Sequence, residues 1–248
     1  MIFFDERLAT FEIFSLSHLF ADLFWAILIL LMVVYRRRLR TFPRFDLFLR
    51  RFIAIAMLVL QAGYYAWMFA TGKADFELLP LGLCHLSMYV TVALLLTQSK
   101  TLFTIIFPWA IIGAALSLIL VDLAYQFPHF RYIHYFGNHG MFLFGVLYMA
   151  VVKGYRLTYK GLWMSGLVLI ALAVIVYPIN LALGTNHLFL IQLPTPARPI
   201  GALFGDWWMA GYVGMVFILF HLIYLPFFIV NRRERRLGSA GSQRRDSR

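Results

Sequence analysis

Cys84 is the only cysteine in the chain, and His85 follows it directly. A thiolate attacks acyl carbonyls, and an imidazole within reach can take the thiol's proton. Pro80 suits the first turn of a helix, where its missing N–H costs nothing, so Cys84 is expected close behind a helix amino terminus. There the positive end of the helix dipole favours thiolate. A competing reading of a lone cysteine in an apolar segment is a small buried hydrophobe. The bases on offer are His18, His85, His129, His134, His139, His187 and His221, with amide donors at Asn138, Asn180 and Asn186.

The elements that position these groups follow from composition. Of 248 residues, 62% are hydrophobic and 13% charged, with a mean hydropathy of +0.79, which excludes an ordinary soluble domain. Apolar runs approach the 20 or so residues that a helix needs to cross about 30 Å of hydrocarbon. Seven spans are predicted, over about 16–35, 52–70, 78–96, 102–121, 132–152, 161–183 and 207–230. The runs do not alternate and are too long for barrel strands, so the fold class is all-α: a polytopic, seven-transmembrane-helix bundle. Residues 1–231 form that membrane domain, and 232–248 read as a basic, flexible tail. The first eleven residues lack the basic start of a signal peptide, so the first span is expected to remain in the mature chain.

Eighteen of the twenty-two lysines and arginines fall in the loops after spans one, three and five and in the tail. Arg7, Lys73, Arg131 and Arg198 alone fall on the other side. The positive-inside rule makes the rich side cytoplasmic, with the amino terminus outside and the carboxyl terminus inside. The net charge of +11 is then accounted for by loop retention and anionic headgroups, and no nucleic-acid partner is expected. The partners are the lipid bilayer and a membrane phospholipid; the sequence carries no sign of oligomeric state.

At about 1.5 Å per residue, Cys84 and His85 lie roughly 9 to 11 Å below the outer end of span three, and His139 about 10 Å below that of span five. Asn180 lies near the outer end of span six, Asn186 and His187 just beyond it, and His18 with Asp22 opens span one. His221 alone sits in the inner half. Polar groups inside a span normally face the bundle or a water-filled cavity, so matched depth on separate helices points to a cleft open to the outer face. The same residue types also hold helices together. Trp207 and Trp208 read as interfacial anchors.

Three segments carry a family resemblance: LPLGLCHLSM over 79–88, FPHFRYIHYFGNHGMF over 127–142 and NLALGTNHLFL over 180–190. Together they resemble the YwaF family of bacterial integral membrane proteins and, more distantly, the eukaryotic TMEM-type acyltransferases that remodel ether phospholipids. The likeness covers nearly the whole chain in span order. It implies a seven-helix lipid-modifying enzyme of the bacterial inner membrane, in which Cys84 carries an acyl group and His139 assists. His134, five residues earlier and so on a different helical face, is the competing histidine. The sequence departs from the expected pattern at His187, where an aromatic residue would follow the asparagine.

The predicted chemistry is acyl transfer through a Cys84 thioester, with His139 as base and then acid and Asn138, Asn180 or Asn186 as oxyanion donors. His18 and His85 are candidates to tune the site. No cofactor and no metal are called for. Two alternatives stand beside it. One is a metal-dependent lipid hydrolase using His18, Asp22, His85 and His139, although no HExxH or paired-cysteine spacing supports it. The other is a transporter or binding protein with a polar outer pocket, hinted at by a helix end broken near Pro178 and Asn180. The last span has no lysine for a retinal Schiff base.

Overall fold

A computed structural model describes the backbone of residues 2–246, with side chains described except at residues 2, 196 and 233–246. The tail expected over 232–248 is described in its backbone only as far as residue 246, where it continues α8, and its side chains from 233 on lie outside the described residues. All regular elements among the described residues are helical. They are α1 (Leu16–Leu39), α2 (Pro43–Ala70), α3 (Leu83–Thr97), α4 (Lys100–Ile119), α5 (Phe130–Val151), α6 (Tyr159–Leu183), the short α7 (Arg198–Ala202) and α8 (Trp208–Asp246). Six described segments are long and apolar enough to cross a membrane, so this is a multi-pass integral membrane protein. The remaining long helix is α5, where Arg131, His134, Asn138 and His139 depress the hydropathy.

Local chemistry sets the helix ends. Ser15, Ser99 and Thr158 cap α1, α4 and α6 by accepting hydrogen bonds from His18, Leu102 and Gly161 backbone N–H groups. Gly184 stops α6 in the left-handed conformation that glycine adopts without penalty. α6 runs unbroken through Pro178 to Leu183, so the broken end expected at Pro178 and Asn180 is not found.

The first basic loop is shorter than expected. Pro43 starts α2 nine residues before the predicted boundary, leaving only Arg40–Phe42 between the helices. Pro at N1 is preorganised for a helix, and polar residues in the first turns conceal that start from a hydropathy reading. Arg50 is thereby inside α2 and buried, not in a loop. Its guanidinium bonds Asp46 Oδ2 and the Leu95 carbonyl. Asp46 also accepts from the Tyr148 hydroxyl at 2.8 Å and from Lys153 Nζ at 3.1 Å. This network ties α2, α3 and α5 at the basic end of the bundle.

α4 is the central post: 56% of its apolar window is buried, against 11% for α1, α6 and the last span. It packs on α3, α5 and α6, and the Trp109 indole donates to the Ser165 carbonyl. The outer helices expose leucine, isoleucine and phenylalanine, as lipid-facing surfaces do. At the opposite end from the Asp46 network, the amino-terminal segment pairs Phe11 N–H with the Ala124 carbonyl and accepts at Leu8 from Gln126 N–H. Lys73 joins it there by donating to Glu6 and Tyr125 at 2.6 and 3.0 Å.

Candidate functional site

Cys84 is the second residue of α3, closer to the helix start than the sequence suggested. Pro80 is not in the helix: Leu79, held extended before the proline, opens a turn that delays the start until Gly82, the N-cap. No side chain caps α3, which leaves first-turn N–H groups free of their usual partner. The half-buried thiol lies 3.6 Å from Ser117 Oγ on α4. Gly113, one turn earlier on α4, also faces the sulfur: a methyl placed there would rest 3.7 Å from it, an ordinary van der Waals contact. Among the described residues no imidazole hydrogen-bonds the sulfur.

The link to α5 runs through Tyr135. Its hydroxyl donates to the Ser117 carbonyl at 2.9 Å, and its ring lies 4.4 Å from that of His139. Cys84 thus touches Ser117, and His139 packs on the Tyr135 that bonds it. His139 Nδ1 is 2.7 Å from the Tyr135 carbonyl. A carbonyl only accepts, so Nδ1 carries the proton and Nε2 is the free acceptor. No described residue hydrogen-bonds that Nε2.

His134 is differently placed. Its Nδ1 accepts from Arg131 at 3.1 Å and its Nε2–H donates to Gln61 Oε1 at 3.1 Å. Both nitrogens are spent. Asn138 also donates to Gln61 Oε1, at 3.3 Å. Arg131 stacks 4.2 Å over the Tyr64 ring, and His85 and His139 lie within electrostatic reach of it. Counted in the sequence only as a topology marker, Arg131 is the one cation of this cluster. Ser117, Tyr135 and Gln61 were also overlooked, because Ser, Tyr and Gln in apolar runs give no spacing signal.

The remaining expected site residues bind protein. His18 is fully buried; its Nδ1 accepts from Phe14 N–H, and its Nε2–H faces the Leu118 carbonyl at 2.7 Å and Asp22 at 3.1 Å. Asn180 accepts at Oδ1 from the Thr185 hydroxyl and from His187 N–H, and its amide donates to the His187 carbonyl. Asn186 closes its own loop on residues 191 and 192. His187 donates to the Phe76 carbonyl at 3.2 Å, and Asn186 N–H donates to Glu77, which fastens this loop to the turn before α3. The amides of Asn180 and Asn186 are therefore engaged in loop architecture. No group of three or more His, Cys, Asp or Glu side chains among the described residues is disposed to hold a metal ion.

Outside the helices, hydrogen bonds from Lys73 and Tyr125 hold the Glu6 carboxyl below its usual range. Burial pushes the His129 imidazole down. That ring caps α5 through Arg131 N–H and stacks on Tyr125 at 4.0 Å.

No curated protein and no solved structure matches this chain. A family model does, over residues 13–226, a stretch that takes in the thiol, the hydroxyl pair and the imidazoles. Since this covers most of the chain, the protein belongs to the TMEM164 family.

Proposed function

We propose that this protein is a membrane-embedded phospholipid acyltransferase working through a Cys84 thioester near the outer face. α5 then counts as a seventh span, with the amino terminus outside, in a bacterial inner membrane, and the kinship extends to the YwaF proteins. His139 Nε2 takes the Cys84 proton as sulfur attacks the ester carbonyl of a donor phospholipid. The carbon–oxygen bond breaks, and the leaving alkoxide receives that proton from the imidazolium. In the second half the acceptor hydroxyl gives its proton to His139 and attacks the thioester, expelling Cys84 thiolate, which is reprotonated.

The observation that carries this reading is the His139 tautomer: Nδ1–H is anchored on the Tyr135 carbonyl, which leaves the other nitrogen as a base beside the Ser117–Tyr135 pair that Cys84 touches. His134, with both nitrogens occupied, has no such capacity. The oxyanion donors are reassigned from the asparagines to the Ser117 hydroxyl and the uncapped first-turn N–H groups of α3. Arg131 is suited to a substrate phosphate. The hydrolase alternative lacks a ligand set, since His18 is turned to backbone groups.

The test offers purified protein an alkyne-tagged phospholipid. Hydroxylamine-sensitive label is expected on wild type and none on Cys84→Ala. Continued lipid remodelling by Cys84→Ala overturns the reading.

A further inference from the structure

At the basic end of the bundle α1 leans on α5 and stands away from α2, opening a cleft of about 650 Å³ between α1, α2 and α5. α1 faces it with Trp25, Leu28, Leu31, Met32 and Tyr35, and one stripe of α2 with Phe45, Leu49 and Phe52. Both sets repeat at helical spacing. The walls are almost wholly apolar, and the Arg38 side chain lies at the rim. From Trp25 to Arg38 the cleft extends roughly 20 Å along α1, enough to span the hydrocarbon of one leaflet, about 15 Å.

An unfilled apolar cleft forfeits the dispersion contacts of its lining. A bilayer supplies chains to fill it, so the occupant is decided by what stands at the mouth. Arg38 is exposed and makes no ion pair among the described residues; Arg36, Arg37 and Arg44 lie close by in sequence. Arg40 is spent on the carbonyls of Val151 and Val152. The Arg38 guanidinium carbon lies 6.0 Å from the Phe42 ring centroid, which leaves its N–H groups open, and at the end of an acyl-sized slot it matches a phosphate in charge and geometry.

We propose that this cleft is a binding site for one anionic phospholipid of the arginine-rich leaflet, with an acyl chain between α1 and α2 and the phosphate at Arg38. The site lies at the other end of the bundle from Cys84 and does not depend on the acyltransferase reading.

Native mass spectrometry of the full chain, titrated with 1-palmitoyl-2-oleoyl-phosphatidylglycerol or the matching phosphatidylcholine, tests it. Wild type and Cys84→Ala are expected to retain one phosphatidylglycerol in preference to phosphatidylcholine. Leu28→Trp and, separately, Leu31→Trp fill the slot and should abolish retention. Arg38→Gln should weaken phosphatidylglycerol retention about fivefold and level the headgroup preference. An unchanged rate of alkylation at Cys84, the single thiol, reports that each of the cleft variants is folded. Undiminished retention in folded variants of both filling positions, or an Arg38→Gln protein as selective as wild type, overturns the proposal.

Discussion

His139 gives its Nδ1 proton to the Tyr135 carbonyl 2.7 Å away, one turn earlier on the same helix. A helix carbonyl shared in this way fixes ring orientation without a carboxylate and leaves Nε2 as the acceptor. His139→Gln should lower acyl transfer by about 10² to 10⁴-fold while leaving the melting temperature near wild type. His134→Leu should do the reverse. It strands the Arg131 guanidinium, at about 1–3 kcal/mol, leaves Gln61 Oε1 with Asn138 as its remaining donor, and lowers stability with turnover per folded molecule preserved. Thermal melting and single-turnover kinetics on both variants separate the two.

Ser117 touches the sulfur from a different helix. As an oxyanion donor its loss should cost about 10² to 10³-fold in kcat, and Ser117→Ala should leave substrate retention unchanged. An unaltered rate would return Ser117 to a packing role.

Gly140 follows His139 directly, and a methyl there would fall inside the Trp25 indole. Gly140→Ala should destabilise by about 1–3 kcal/mol. Trp25→Leu should recover much of the loss in the double variant, since the obstacle is that ring. Failure of the rescue in chemical denaturation would assign the cost to backbone conformation instead.

Asp46 and Arg50 form a buried pair at the basic end, with side-chain exposures of 11% and 4%. Asp46→Asn should cost about 3–5 kcal/mol by leaving the arginine uncompensated, whereas Asp46→Leu with Arg50→Leu should cost less than the sum of the single changes. A double-mutant cycle by urea titration measures the difference.

His129 has its imidazole pushed down by burial. As pH falls through 6.5, the unfolded chain gains a proton that the folded cap resists, so stability declines towards acid. His129→Asn keeps an N-cap and should flatten this slope. Melting temperatures measured across the histidine range check it.

Much of the architecture was legible because hydrophobic length is a strong signal: α1, α4 and α6 begin within two residues of the expected positions. α2 and α3 were not so legible. Arg50 and Asp46 neutralise each other inside α2, which a count of charges reads as a loop, and the extended Leu79–Pro80 step postpones α3. At the site, Cys84 and His139 stood out as reactive types in apolar runs. Ser117 and Tyr135, which link them, did not, since their importance lies in contacts between helices far apart in sequence. Asn180 and Asn186 were conspicuous for the same reason as the thiol, yet serve a loop.

The indole of Trp25 does two things at once. It forms the deep wall of the inner cleft and rests on the glycine beside His139. A guest in that cleft would lie against a ring that in turn packs on the backbone one residue from the imidazole. One side chain thus borders both the cleft and the helix turn that carries His139.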